Sequence, residues 1–254
     1  MVPTAPVVNR LIGALPRADR QRFLASCTPV ELGFAEVLGE PDYRIRHIYF
    51  PTGSLISLVM TIDDGANLEV GMVGNEGMLG IPLIFGVDAS RLRSIVQGSG
   101  TALRMEARQF RRELARSPAL LRLLQLYVYV VVSQLAQTAA CTRFHVVEAR
   151  LARWLLMTQD RAHSERFHVT HEFLAFMLGV RRVGVTKAAT ALQTARLISY
   201  HRGNVRVLDR AGLEAASCGC YAADKATYAR VMGSGRISSR RRESERDAVG
   251  KKPV

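Results

Sequence analysis

The chain has 254 residues, which is enough for two ordinary domains with a hydrophobic core each. Its 48% hydrophobic and 22% charged residues exclude a disordered chain. The formal net charge is +13 and uneven: residues 1–139 hold 14 Lys and Arg against 12 Asp and Glu, whereas residues 140–254 hold 21 against 10. The second half therefore has the positive excess that a polyanion-binding domain requires. Binding to an anionic membrane surface is disfavoured, because the sequence shows no basic amphipathic helix with a broad aromatic face.

The first third of the chain reads as a helical segment followed by short strands. A helix is predicted from Asn9 to about Ala25, and Pro16 should break or restart it. After Pro29 the segments become short and β-branched or alternating, and turn sequences separate them. They cover residues 30–38, 43–50, 54–62, 67–73 and 94–103. Several short strands at this spacing predict a compact antiparallel barrel or sandwich.

A long helix should follow these strands. Ser117 can cap it, Pro118 can occupy its first position, and it should run to the neighbourhood of Cys141. Apolar residues recur along it at alternating intervals of three and four, which is the pattern of a coiled-coil seam between two subunits. The seam positions are Leu121, Leu124, Val128, Val131, Leu135 and Thr138. The alternative is a helix buried within one subunit, because the run is apolar nearly all round.

Residues 170–208 read as a helix, a three-residue turn, a second helix and a β-hairpin. Leu174 and Leu178 share a face of the first helix, and Ala175 is small where a second helix would cross closely. Gly179 can adopt the left-handed conformation that ends a helix. This spacing is that of a DNA-binding helix-turn-helix, in which the second helix enters the major groove.

The hairpin strengthens this prediction. Residues 197–201 and 205–208 are short β-prone runs joined by Arg202-Gly203-Asn204, so the hairpin would be the wing of a winged helix. The candidate DNA-contacting residues are Arg181, Arg182, Thr186, Lys187 and Thr190 on the second helix, with Arg202 and Arg206 on the wing. The alternative is an ordinary helical hairpin with a solvated basic face, which would make the apolar spacing, the small residue, the glycine and the wing coincidental.

Two further helices complete the second half. One, over about 146–160, should carry Trp154 into the core, and the other, over 213–232, can be capped by Asp209. From Gly233 onward the chain is rich in Ser, Arg and Glu without apolar periodicity, so it should be a disordered basic tail.

A β-barrel, a long seam helix and a winged helix-turn-helix, in this order, resemble the layout of the Crp/Fnr family of bacterial transcription regulators from about residue 9 to residue 232. The segments that carry the resemblance are Phe50-Pro51-Thr52-Gly53, Gly74-Asn75-Glu76-Gly77-Met78, Arg93-Ser94, Glu148-Ala149-Arg150-Leu151-Ala152-Arg153-Trp154-Leu155 and Leu178-Gly179-Val180-Arg181-Arg182. The resemblance implies an α+β fold with an N-terminal antiparallel β-roll of the double-stranded β-helix type, a long dimerisation helix and a C-terminal winged helix-turn-helix. The expected domains are a cyclic-nucleotide-binding-like sensor over 1–115, the helix over 116–145, the DNA-binding domain over 146–233 and the tail over 234–254.

The resemblance implies a sequence-specific regulator that is not an enzyme. Family members are usually homodimers that bind a palindromic site on double-stranded DNA and contact RNA polymerase, so the same partners are expected here. Arg182 and Lys187 match positions that face bases in the family. Relatives commonly have Glu between them, where this chain has Val183, so the preferred half-site should differ from theirs.

The candidate effector-binding residues also come from the resemblance. Glu76-Gly77 and Arg93-Ser94 are similar to the segments with which cyclic-AMP-binding relatives hold the ribose and the cyclic phosphate. Two departures disfavour a cyclic nucleotide. The segment between the two pairs is longer than the usual cassette and contains the apolar run 81–85, and Leu135-Ala136 stand where hydroxyl residues are expected to hold the adenine. An unknown effector, or none, is therefore the favoured expectation.

The four cysteines are too few and too scattered for a disulfide framework, and no metal site is predicted. One residue separates Cys218 from Cys220, which is a poor spacing for a zinc ribbon or a redox dithiol, so free thiols are favoured and the role of the pair stays open. Oxygen-sensing relatives hold an iron–sulfur cluster on several cysteines near the N-terminus, where this chain has only Cys27. Haem-binding relatives use a histidine of the barrel, and His47 is more simply a structural residue.

A cytoplasmic location without a membrane partner is expected. The N-terminus has no basic segment followed by an apolar core, as a signal peptide would have. The longest apolar run, 123–132, is too short to span a bilayer.

Two other classes of function fit the sequence less well than a DNA-binding regulator does. A nucleotide-gated subunit whose winged helix binds protein rather than DNA would have no need of the strongly basic second half. An enzyme would need a recognisable site, and the sequence has no phosphate-binding loop, no nucleophile elbow and no His-Glu-x-x-His motif. The paired carboxylates Asp63 and Asp64 precede Gly65 and are interpreted as a turn.

Overall fold

The computed structural model describes residues 9–62, 65–162 and 164–233. The expected tail over 234–254 and the turn at Asp63-Asp64 lie outside these residues. Two short helices come first, α1 (Arg10–Ala14) and α2 (Arg17–Ala25), and Pro16 separates them as the sequence predicts. The side chain of Asn9 caps α1 by accepting hydrogen bonds from the amides of its first turn.

Seven strands then form an antiparallel barrel of two sheets, ordered β1-β7-β3 and β2-β6-β4-β5. The strands are β1 (Thr28–Leu32), β2 (Val37–Gly39), β3 (His47–Pro51), β4 (Leu55–Thr61), β5 (Asn67–Val73), β6 (Arg93–Gly98) and β7 (Gly100–Glu106). Two of the predicted strands are each divided in two. The run 30–38 turns at Ala35, which has φ 63°, and the run 94–103 turns at Gly100, which has φ 153°. A Cβ on Gly100 would lie 2.4 Å from the carbonyl oxygen of Gly53, so this close approach of the backbone requires glycine.

Helix α4 (Pro118–Phe144) is the long helix that the sequence predicts. Ser117 accepts a hydrogen bond from the amide of Leu120 at 3.1 Å, and Pro118 occupies the first turn, so the predicted start is confirmed. A shorter helix that was not predicted, α3 (Ala107–Arg116), joins the barrel to α4, and a 3-10 helix occupies Ile81–Phe85. One side of α4 packs against the barrel and α3, and a C-terminal helix packs along another side.

The exposed stripe of α4 does not coincide with the predicted seam. Leu124 is 0% exposed within its own chain because it packs in the barrel core beside Phe110, so its assignment to an intersubunit seam was wrong. Leu121, Val128, Val131 and Leu135 are half-buried, and the last three line a cavity of the barrel. The exposed stripe of α4 follows the same alternation of three and four in another register: Arg122, Gln125, Tyr129, Val132, Ala136, Ala139 and Arg143.

By length and composition, α4 could also cross a membrane, because the complete helix is longer than the apolar run 123–132 on which the sequence prediction rested. Of the residues in its most apolar 18-residue stretch, 22% are buried inside the chain. One such helix is weak support for a membrane segment, because helices of water-soluble proteins pass the same test. Here the barrel core and the C-terminal helix occupy two sides of α4, which leaves one narrow apolar stripe uncovered.

The second half of the chain is helical with a small sheet of order β8-β10-β9. Its elements are α5 (Val147–Ala162), β8 (Arg166–His168), α6 (His171–Leu178), α7 (Arg182–Thr194), β9 (Ile198–His201), β10 (Asn204–Val207), α8 (Arg210–Ala216) and α9 (Cys220–Gly233). Strand β8 was not predicted. Asp209 caps a helix as expected, by accepting from the amide of Gly212 at 2.9 Å, but the predicted helix 213–232 is divided into α8 and α9.

The two halves share one hydrophobic core. Barrel residues such as Val59 and Met72 pack with Trp154 and Leu155 of α5, and α6 packs against β5. Polar contacts cross the same boundary. The indole of Trp154 donates to Glu69 at 3.0 Å, and the guanidinium of Arg161 forms an ion pair with Glu76 at 2.7 Å. The helix-turn-helix is therefore held on the barrel of its own chain.

Glu69 lies in this boundary, where its carboxylate and the Ser57 hydroxyl have too few donor hydrogens for the acceptors around them. Ser57 has a single hydroxyl proton, yet its oxygen lies 2.6 Å from a carboxylate oxygen of Glu69 and 2.6 Å from the amide oxygen of Gln97. A protonated Glu69 would donate to Ser57 and leave the hydroxyl free to donate to Gln97. Burial accordingly raises the pKa of Glu69 from 4.5 to about 7, although Ser57 and Trp154 oppose the rise by hydrogen bonding to the carboxylate.

Replacing Glu69 with Gln should stabilise the protein at alkaline pH. The folded chain keeps the proton between pH 4.5 and about 7, whereas the unfolded chain has lost it, so the free energy of unfolding falls by about 3 kcal/mol as the pH rises through this window. Glu69→Gln removes that fall because the amide stays neutral. Urea unfolding at pH 5 and pH 8 measures the difference, with the exposed Glu31→Gln on β1 as the control. Equal pH dependence in wild type and Glu69→Gln would contradict the prediction.

Candidate nucleic-acid interface

The helix-turn-helix is formed by α6, a short turn and α7, as the sequence predicts. Thr170 caps α6 by accepting from the amide of Phe173 at 3.1 Å. Gly179 ends α6 in the left-handed conformation with φ 61°, and its amide donates to the carbonyl of Ala175. The chain then turns, and α7 begins after Arg181.

The buried side of α7 fixes which side faces outward. Val185, Ala188, Ala189 and Leu192 are buried, and they pack in one core with Leu174, Met177 and Leu178 of α6. The small side chains at 188 and 189 allow the two helices to approach closely. Because residues three and four apart share a face of a helix, these four positions leave the opposite side of α7 to solvent.

That outward side carries every candidate of the second helix. Those exposed residues are Arg181, Arg182, Val183, Thr186, Lys187 and Thr190. No Asp or Glu occurs anywhere between Phe173 and Leu208, whereas this stretch contains six Lys and Arg. The outward face of α7 and its surroundings are therefore positively charged without a local carboxylate to neutralise them.

His171, which sequence reasoning missed, connects α6, α7 and the wing. Its ring nitrogen Nδ1 lies 3.1 Å from the hydroxyl of Thr186, and its ring meets the ring of Tyr200 edge-on at 4.5 Å. The hydroxyl of Tyr200 donates to the carbonyl of Val169 at 2.6 Å. Burial lowers the pKa of His171, and the nearby charge of Arg182 lowers it further. No local sequence signal marks this role, because the partners lie 15 and 29 residues away along the chain.

The wing is a tight hairpin with basic residues on its outer side. Arg202 and Gly203 form the turn with φ 47° and 81°, so both central residues are left-handed, as in a two-residue hairpin loop. Arg202 at the tip and Arg206 on β10 are exposed, whereas Val205 is buried in the core. Strand β8 supports the wing by pairing with β10. Both predicted wing arginines thus lie on the solvent-exposed side of the hairpin, in the same domain as the exposed side of α7.

The four candidate effector residues are not brought together. Glu76 is occupied by the ion pair with Arg161, and Arg93 pairs with Glu40 at 3.2 Å. A Cβ on Gly77 would lie 2.1 Å from the hydroxyl oxygen of Tyr127, so this glycine allows α4 to approach rather than a ligand. Ser94 is buried and is the one residue of the four that lines the large barrel cavity.

That cavity lies between the barrel and α4 and has a volume of about 540 Å³. Most of its lining is apolar, including Leu58, Val70, Met72, Val128, Val131 and Leu135. His47 of the barrel also lines it, together with Arg44 and Arg46. Burial lowers the pKa of His47, and the charge of Arg104 lowers it further. The cavity can therefore hold a small apolar molecule with one polar end.

Comparison with known proteins agrees with this geometry. Residues 149–216 match the family model of the Crp-like helix-turn-helix domain. Comparison with curated protein sequences found no match.

Several solved structures are similar over 74% to 81% of the chain. FixK2 from Bradyrhizobium japonicum is 13% identical with a TM-score of 0.64, covering 76% of this chain and 98% of that one. A putative Crp/Fnr-family transcriptional regulator from Eubacterium rectale is 14% identical with a TM-score of 0.64, covering 81% and 96%. A CRP-family transcriptional regulator from Thermus thermophilus is 20% identical with a TM-score of 0.62, covering 74% and 96%. At these identities the likeness shows a common fold.

Proposed function

We propose that this chain is a DNA-binding transcriptional regulator of the Crp/Fnr type, which binds a palindromic promoter site as a homodimer and there contacts RNA polymerase. The observation that carries the proposal is the exposed side of α7, which presents Arg181, Arg182 and Lys187 without any carboxylate in the surrounding stretch 173–208. A helix presented in this way fits the major groove, and its charges attract phosphates. Such a protein would act in the cytoplasm, where bacterial promoters lie.

The exposed stripe of α4 supports a homodimer. Tyr129 and Val132 are 54% and 57% exposed, and Ala136 and Ala139 continue the stripe towards the C-terminal end of the helix. Two copies of this stripe related by a two-fold axis would bury each other's apolar residues as a coiled coil does. The same axis would place two α7 helices on two half-sites of a palindrome.

We expect the effector, if one controls the protein, to be apolar rather than a cyclic nucleotide. A cyclic nucleotide needs a cation for its phosphate and an acceptor for its ribose, and the two matching side chains, Arg93 and Glu76, are paired with Glu40 and Arg161. The apolar lining of the barrel cavity fits a less polar molecule.

Selection from a random DNA pool tests the proposed function. The full-length protein is expected to enrich a palindrome with half-sites about one helical turn apart, near 10 base pairs, and its affinity should fall steeply with salt. Addition of cyclic AMP should leave the enriched sequence and the affinity unchanged. If no sequence is enriched and the binding is weak at every salt concentration, the winged helix binds protein instead. A large gain in affinity with cyclic AMP would contradict the effector proposal alone.

A further inference from the structure

Four potential metal ligands meet where α4 joins the DNA-binding domain. Cys141 lies in the last turns of α4, His145 follows directly after that helix, and Cys218 and Cys220 lie at the junction of α8 and α9. Their ligand atoms, three sulfurs and one imidazole nitrogen, all lie within 4.8 Å of one another. The three cysteines are buried and His145 is exposed. The spacing of Cys218 and Cys220 alone favoured free thiols, because the sequence does not reveal that Cys141 and His145 join them.

Two distances within this cluster match those of a tetrahedral site. The sulfurs of Cys141 and Cys218 are 3.5 Å apart, and the sulfur of Cys220 lies 3.5 Å from Nδ1 of His145. Zinc–sulfur bonds of about 2.3 Å and zinc–nitrogen bonds of about 2.0 Å at tetrahedral angles place neighbouring ligand atoms roughly 3.5 to 3.8 Å apart. A disulfide would need sulfurs separated by about 2.05 Å.

The surrounding charge provides a second, independent observation. Arg150 is 9% exposed, and its guanidinium donates to the carbonyl of Leu178. In the part of the chain that the structure describes, no carboxylate lies within ion-pair distance of Arg150, whereas Arg153 is paired with Asp224 at 2.6 Å. Arg150 lines a small cavity together with Cys141. A buried cation without a negatively charged partner is costly, and three thiolates around one Zn²⁺ would supply the compensating negative charge.

We propose that Cys141, His145, Cys218 and Cys220 bind one Zn²⁺ ion in a closed, tetrahedral structural site. Three thiolates and one imidazole are a common ligand set for structural zinc. Gln137 supports the site from α4, because its amide donates to the sulfur of Cys220 at 3.0 Å. The ion would connect the end of α4 to the junction of α8 and α9, and so fix the DNA-binding domain relative to the long helix. This last role rests on the proposed function, whereas zinc binding itself does not.

Metal analysis of the full-length protein, purified under reducing conditions, tests the site. We expect one zinc per chain in the wild type and none in the double variant Cys218→Ser, Cys220→Ser. The matched control is Cys27→Ser, which changes a cysteine of the barrel half and should retain the metal. Replacement of zinc by Co²⁺ should give the visible absorption of tetrahedral thiolate-bound cobalt. A wild type without metal, iron with labile sulfide in place of zinc, or zinc retained in the double variant would each overturn the proposal.

A milder variant keeps the test decisive if the double variant does not fold. His145 is exposed, so His145→Ala removes one ligand with little effect on packing. Zinc should then be lost to a competing chelator at least tenfold faster than from wild type, and the melting temperature of the wild type should fall when a chelator removes its zinc. Release at the same rate, or a melting temperature that is insensitive to zinc removal, would contradict the site. Neither readout depends on DNA, so a failure here is distinguishable from a failure of the proposed function.

Discussion

Val132→Asp should convert the proposed homodimer into a monomer and lower its affinity for the proposed palindromic site by about 100-fold or more. Val132 is 57% exposed within one chain, so an Asp there costs the folding of the monomer little. In the proposed dimer the two copies of this residue would face each other across the seam of α4. Each carboxylate would be buried without a partner, at a cost of several kcal/mol per ion. A monomer then contacts one half-site only.

Sedimentation of the purified variant measures the state of association, and binding isotherms on the selected site measure the affinity. Val87→Asp is a matched control, because Val87 is 53% exposed but lies in the barrel half and not on α4. This control should stay dimeric and bind DNA as the wild type does. Circular dichroism of Val132→Asp should match that of the wild type. A dimeric Val132→Asp protein that still binds its site would show that another face makes the interface.

The difference between the predicted seam and the exposed stripe of α4 shows what hydrophobic periodicity alone can determine. The heptad alternation predicts a helix with a seam, but α4 is apolar nearly all round, and Leu124 and Tyr129 fit equally regular patterns. Only the barrel decides between them, because it covers Leu124 and leaves Tyr129 uncovered. The identity of the covering surface is a long-range property, and the sequence of the helix does not contain it.

The sequence predicted an antiparallel barrel or sandwich, but not every turn and strand boundary within it. Turn sequences mark most strand ends, but the turn that Gly33 begins has an alanine, Ala35, at its left-handed position, and it went unrecognised. Helix α3 was not predicted because it is short and contains four arginines, which obscure the apolar spacing of the helix that buries Phe110. Strand β8 has only three residues and gains its partner from β10, some 38 positions later.

The helix-turn-helix was predictable residue by residue for a physical reason. The buried positions of α7 come at local spacings of three and four, so they determine the exposed side without any knowledge of distant residues. The candidate effector residues and the cysteine cluster depend on contacts across the chain. Glu76 meets Arg161 over 85 residues, and Cys141 meets Cys218 over 77 residues. Local sequence patterns do not predict contacts between residues so far apart along the chain.

Two arginines of the proposed interface are comparable in charge and exposure but should differ in role. Arg182 lies in the first turn of α7, beside Val183, and Arg202 lies at the tip of the wing. In the proposed complex the start of α7 enters the major groove, where an arginine can pair bidentately with guanine. The wing tip would lie beside the backbone, where an arginine contacts phosphate only.

Arg182→Ala should therefore remove sequence preference at one base pair of each half-site, at a cost of about 1–3 kcal/mol per half-site on the preferred sequence. Arg202→Ala should weaken the binding of every sequence alike and reduce the slope of log affinity against log salt by about one unit per half-site. Isotherms on the selected site, its single-base variants and random DNA, each at several salt concentrations, separate the two effects. Each variant serves as the control of the other, because both remove one exposed positive charge. Equal losses on all sequences for Arg182→Ala would assign this arginine to the phosphates and leave the reading of bases to Lys187 and its neighbours on α7.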